Sequence, residues 1–243
     1  MGKNTLTSEH LGPFLEGVKA GLPVAMGYIP IAIAFGLLAK SNGVPIAISV
    51  SMSLFIFAGA SQFVGVSLLT AGAAYWEIIT ATFLLNLRHF LMSASLSPRL
   101  AAHTPKRRLA ILAYGLTDET FSVASLRPEK TLSFPFILGL NLIAFSAWNV
   151  GTWAGFILGT GLPGSVRSSM GIALYAMFLG LLIPAAKNSH PALVVVLLAG
   201  GIHALLQSLP RLASFSSSWG IVISTVLAAA IGALLFPEEG KAV

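Results

Sequence analysis

The run Asn86-Leu87-Arg88-His89 places an amide, a guanidinium and an imidazole inside a long apolar stretch. Ionisable groups in such surroundings are expensive to bury unpaired, and so are read as functional by default. Asn86 and His89 stand three apart and share a helix face, whereas Arg88 points elsewhere. Arg88 lies about eight residues from the polar end, roughly 12 Å along a helix. Its side chain either snorkels to the interface or faces a polar cavity. Asp118 and Glu119 supply the opposite charge. Adjacent on a helix, they diverge and cannot by themselves make a tight metal or acid–base pair. Two roles stay open for them: ion pairing with Arg88 or the 106–108 cluster, and binding of a solute or a proton.

Other polar groups fall within apolar runs. Gln62 lies deep in one, after the small residues Ala58-Gly59-Ala60-Ser61 that permit close helix packing. Asn141 and Asn149 are two turns apart on one face, placed for interhelical hydrogen bonding first and cavity lining second. Pro23 and Pro30 each remove a backbone donor and crowd the preceding turn, which predicts a kinked or broken first span. Hydrolysis would need Ser61 with His89 or His203, but Gly59-Ala60-Ser61-Gln62 lacks a Gly-x-Ser-Gly nucleophile turn, and an enzyme is not expected. His190 and His203 have no partners at metal-ligand spacing, and no phosphate-binding loop is present. Neither metal nor cofactor is expected.

The elements that must position these groups follow from composition. Of 243 residues, 56% are hydrophobic and 9% are charged, against roughly 25% charged in a soluble domain. That predicts an all-α, polytopic transmembrane helical bundle of seven to eight spans, a single transport domain over 1–243. The expected spans are 17–39, 46–70, 75–97, 109–126, 133–158, 169–186, 191–209 and 217–236. The 109–126 segment is the doubtful one, because Asp118 and Glu119 cannot face lipid; it either crosses against protein or water, or dips in and returns. The net charge of +6 comes from dispersed residues apart from Arg99 and Lys106 to Arg108. Such a cluster marks a cytoplasmic loop between spans; nucleic acid is not an expected partner. No cysteine is present, and no cleavable signal peptide is visible at the start.

Sliding the chain by about 118 residues, the kind of internal repeat transporters use, matches Gly21-Leu22 to Gly139-Leu140, Gly43 to Gly161, Pro45 to Pro163 and Ser51-Met52 to Ser169-Met170. Part of that match follows from apolar bias alone. The corresponding halves would be 17–127 and 133–236, parallel if 109–126 crosses and inverted if it does not.

Gly21-Leu22-Pro23, the stretch from Pro30 to Gly36, Ala58-Gly59-Ala60-Ser61-Gln62, Asn86-Leu87-Arg88-His89 and Thr117-Asp118-Glu119-Thr120-Phe121 together resemble the AzlC family of branched-chain amino acid permeases. The likeness runs in order over about residues 13–127, and the second half agrees mainly in length and hydropathy. It implies the large subunit of a two-component exporter of leucine, isoleucine and valine in the bacterial cytoplasmic membrane. A small AzlD-type membrane protein would be its partner. A zwitterionic solute needs donors for its carboxylate and acceptors for its ammonium. A helix broken at Pro23 and Pro30 would supply free backbone groups and dipole ends, with Arg88 or Gln62 assisting the carboxylate and Asp118 or Asn86 the ammonium. A permease or channel for another small solute, or a non-transporting scaffold, fits the composition equally well.

Overall fold

The computed structural model describes residues 5–101, 103–158, 179, 182–183, 186–187, 189–208 and 217–237. The expected 169–186 span, and the repeat positions Gly161, Pro163, Ser169 and Met170, lie wholly or largely outside the described residues. Among those described, nine α-helices and no strand are found: α1 (Thr5–Ser41), α2 (Ile46–Phe55), α3 (Gly59–Thr70), α4 (Tyr75–Leu96), α5 (Lys106–Tyr114), α6 (Asp118–Ser125), α7 (Phe134–Leu158), α8 (His190–Ser208) and α9 (Ser217–Leu235). Three helices in this set are long and apolar enough to cross a membrane, over Leu11–Ser41, Phe134–Leu158 and His190–Ser208. The chain forms two compact units, one of residues 1–73 and 85–174, the other of 74–84 and 175–243.

In the first unit, α1 and α7 form the central pair. They pack through glycine at both ends: a Cβ on Gly139 would overlap the Phe14 carbonyl, and one on Gly155 would overlap the Ile33 carbonyl. Low residue numbers therefore meet low, and high meet high, so the two helices run parallel. In lipid, where apolar burial cannot drive helices together, such close backbone approach is what holds them. Phe35, Ala32, Ala144 and Trp148 fill the core between them and α3. The expected break in the first span does not occur, because α1 continues through Pro13, Pro23 and Pro30 as one helix. Prolines are tolerated there since neighbouring helices support the freed backbone groups.

The breaks lie elsewhere. The 46–70 segment, expected to cross, is interrupted at 56–58, where Phe57 takes a left-handed φ of 44°. The chain then doubles back: the Gln62 Nε2 amide donates to Ser53 Oγ at 2.9 Å, a contact that a continuous helix, rising about 1.5 Å per residue, would put far out of reach. Gly59 faces the Trp148 ring, and four residues on Phe63 packs on Phe35, ring centroids 5.5 Å apart. Thus α3 climbs back toward the end of α1 from which α2 descended.

The 109–126 segment makes a second hairpin from the other end. Arg108, in the first turn of α5, stacks over Phe134, and Arg127, just beyond α6, stacks over Phe136. Both ends of the segment therefore sit at the start of α7. Arg99 fixes this base, its guanidinium donating to the carbonyls of Ala124, Ser125, Arg127 and Glu129 at 3.1, 2.8, 2.7 and 2.6 Å. Arg127 in turn pairs with Glu16 at the start of α1, which raises the already high Arg127 pKa. Helices of 10, 12, 9 and 8 residues are each too short to span a hydrocarbon core about 30 Å thick. The expected crossing at 46–70 is corrected accordingly to a helix–break–helix hairpin, and 109–126, for which crossing and returning were both open, returns as a second one. They are built alike, with Pro45 and Pro105 at the N-caps of the descending arms, and Ala58 and Thr117 at those of the returning arms.

In the second unit α8 and α9 pack together, Gly232 lying against Val195.

Candidate functional site

The two hairpin tips meet. The Tyr114 hydroxyl, at the end of α5, donates to the Leu54 carbonyl near the end of α2. Phe145 of α7 wedges beside both tips, its ring centroid 5.0 Å from that of Phe57 and 6.1 Å from that of Tyr114. Four helix ends are thereby gathered within the unit, the place where a broken helix presents its terminal backbone groups. The ends differ in how they are capped. Thr117 and Thr120 form a capping box at the start of α6, whereas Ala58 gives α3 no side-chain cap.

Around the tips stand the charged residues. Arg88 Nη1 of α4 lies 2.5 Å from Asp118 Oδ2, with side chains 32% and 29% exposed. Asp118 opens α6, where the helix dipole also favours its negative charge. The Arg88 Nε is buried and has no hydrogen-bond partner among the described residues, so the guanidinium keeps donor capacity beyond the Asp118 pair. Glu119 is held by the Tyr28 hydroxyl of α1, which also lies 2.6 Å from Thr117 Oγ1. Next to these, the Ser61 hydroxyl donates to Asn86 Oδ1 at 2.6 Å, so the serine weighed as a nucleophile binds an amide and not a histidine. His89 follows Arg88 and is half-buried.

Gln62 belongs to a separate, closed circuit. Trp148 Nε1 donates to Gln62 Oε1 at 3.0 Å, Gln62 donates to Ser53, and Ser53 and Thr152 hydroxyls are 2.8 Å apart. Because Thr152 donates to the Trp148 carbonyl, the Ser53 hydrogen goes to Thr152. Every member of this ring of residues is buried, and its work is to hold the first hairpin on α7. Asn141 does the same for the second, donating to the Leu112 carbonyl at 3.0 Å, while Asn149 donates back to Phe145 within α7.

The residues singled out by type and spacing thus separate. Asn86, Arg88, Asp118 and Glu119 come together around the tips, with His89 on the same helix as Arg88. Gln62, Asn141 and Asn149 make structural bonds, and Pro23 and Pro30 lie within continuous helix. Tyr28, Tyr114 and Thr117 were missed as site residues; a lone tyrosine in the middle of an apolar span was the available signal.

Beside the second tip an apolar groove of about 260 Å³ runs between α4 and α5, walled by Phe90, Leu96, Leu109, Leu112 and Leu116 among others.

Comparison with known proteins gives the arrangement a lineage. The chain is 35% identical over 205 residues to the inner membrane protein YgaZ of Escherichia coli, covering 81% of this chain and 83% of the relative. It is 35% identical over 233 residues to a membrane protein of Archaeoglobus fulgidus, covering 94% and 96%. It is 26% identical over 141 residues to the branched-chain amino acid transport protein AzlC of Bacillus subtilis, covering 57% and 55%. No solved structure matches. The AzlC protein family model matches residues 23–162, which hold both hairpins, the Arg88–Asp118 pair and Tyr28, and the chain belongs to the AzlC family of membrane proteins.

Proposed function

We propose that this chain is the transport subunit of a secondary exporter of branched-chain amino acids in the bacterial cytoplasmic membrane, working with a small AzlD-type membrane partner. The observation that carries the reading is the meeting of two half-depth hairpins, entering from opposite ends of α1 and α7, beside an arginine with donors to spare. Broken helices at mid-depth are a recurrent way to bind a solute that must be reached alternately from two sides. The uncapped start of α3 and the Arg88 Nε suit a carboxylate. The Asn86 and Asp118 oxygens suit an ammonium group. The leucine-rich groove between α4 and α5, lined at one end by Leu116, suits a branched aliphatic side chain. The Bacillus subtilis relative, named for branched-chain amino acid transport, is in keeping with that substrate class.

Purified protein in liposomes, with and without the partner, tests the reading. Preloaded labelled leucine should leave faster than from protein-free vesicles, and unlabelled valine or isoleucine outside should exchange with it. Leakage no faster than from empty vesicles in both preparations would overturn the proposal.

A further inference from the structure

The cluster at the second tip holds two carboxylates and one guanidinium. Asp118 takes Arg88, at 2.5 Å, while the partner found for Glu119 is a hydroxyl, that of Tyr28. Tyr28 is 6% exposed and Thr117 is 7% exposed. A carboxyl group whose partner is a hydroxyl can keep that hydrogen bond whether ionised or protonated, because a hydroxyl both donates and accepts.

The hydroxyls beside it are arranged to serve either form. Tyr28 Oη is within hydrogen-bonding reach of both Glu119 Oε2 and Thr117 Oγ1, yet a phenol carries one hydrogen. One of the two contacts must therefore draw its hydrogen from the other partner. With Glu119 ionised, the Thr117 hydroxyl donates to Tyr28 and Tyr28 donates to the carboxylate. With Glu119 protonated, the carboxylic acid donates to Tyr28, Tyr28 donates to Thr117 Oγ1, and the Thr117 hydrogen turns to Thr120 Oγ1, 3.3 Å away. In both states Thr117 Oγ1 still accepts from the Thr120 amide. The change adds one proton, forms one O–H bond on Glu119 and rotates two hydroxyls; no heavy atom has to move.

Resting on the transport reading above, we infer that Glu119 is the proton-binding group of this transporter, with Tyr28, Thr117 and Thr120 forming a reversible hydrogen-bond chain that accommodates its charged and neutral states. Among the described residues, the titratable and charged groups of this cluster are Tyr28 from α1, Asp118 from its own helix, and Arg88 and His89 from α4. Asp118 is paired with Arg88. His89 absorbs as an imidazole and not as a carboxyl, which makes the two separable by spectroscopy.

The test is infrared difference spectroscopy of the intact protein in lipid as pH is stepped, run beside leucine efflux with and without a proton gradient. Wild type should show carboxylic C=O absorption that grows on acidification, and subtracting the Glu119→Gln spectrum should isolate a component belonging to Glu119, lost together with the stimulation of efflux by the gradient. Tyr28→Phe deletes the hydroxyl that pairs with Glu119 in both states and should shift the frequency of that component. A difference spectrum unchanged by Glu119→Gln, gradient-stimulated efflux that survives it, or a component unmoved in Tyr28→Phe would overturn the inference. Failure of wild type to move leucine would strike the transport reading and leave the titration to judge the proton site.

Discussion

Ser53 and Gln62 are joined side chain to side chain at 2.9 Å across the interruption between α2 and α3. That bond, with the Arg99 clamp at the base of the other hairpin, makes a prediction about sidedness. The chain has no cysteine, so single cysteines report cleanly. Cysteines at Asn42 and Gly72, at the two ends of the first hairpin, should react with an impermeant thiol reagent from one side of the membrane. Those at Lys106 and Glu129 should react from the other. Labelling of Asn42 and Gly72 from opposite sides would mean that 46–70 crosses.

Removing either partner of the Arg88–Asp118 pair leaves a charge in a half-buried place. Arg88→Ala and Asp118→Asn should each cost about 1–2 kcal/mol, less than for a fully buried pair because both side chains are partly exposed. The double variant should be milder than the sum, with a coupling energy of about 0.5–3 kcal/mol. Thermal unfolding of the detergent-solubilised variants measures this, and strict additivity would count against the pair.

The Gln62 circuit is closed, so breaking it strands a buried donor. Gln62→Leu should lower stability by about 1–3 kcal/mol through the Trp148 indole N–H it leaves without an acceptor, while Ser53 keeps its bond to Thr152. Adding Trp148→Phe should cost less than that substitution does alone. The midpoints of thermal unfolding for the three proteins decide it.

The parallel seam of α1 and α7 tolerates no side chain at Gly155, where a Cβ would overlap the Ile33 carbonyl. Gly155→Leu should abolish the folded protein, read as loss of the monodisperse peak on size exclusion. Gly27, in the same α1 helix, has nothing within 4 Å of its added Cβ. Gly27→Ala should fold and gain up to about 1 kcal/mol from helix propensity.

How far the sequence carries depends on what each signal measures. Among the described residues, hydropathy found the apolar helices, since it sums over a window and needs no partner. It could not separate one 25-residue crossing from two short arms, because a hairpin is as apolar as a span. The doubt over 109–126 was legible, since Asp118 and Glu119 are local evidence of depth. The same doubt did not arise for 46–70, where the turn is made by Ile56-Phe57-Ala58 with no charge, glycine or proline at its apex. Pro23 and Pro30 misled in the other direction: their effect on a helix depends on the neighbour, and α7 is more than a hundred residues away in the chain. Asn86, Arg88 and Asp118 were readable as rare polar types, but Tyr28 earns its place only through the Glu119 and Thr117 oxygens that folding brings to it.

Phe57 has a further consequence for how the first tip is held. A left-handed backbone at a residue with a side chain costs about 1–2 kcal/mol, and the edge-to-face pairing of its ring with Phe145 returns about 0.5–1.5 kcal/mol. The two nearly cancel. What keeps the strained apex docked is therefore the burial of Phe57, 3% exposed, and the neighbouring Gln62 circuit, so the first tip is pinned to α7 as a fixed anchor against which other parts can shift.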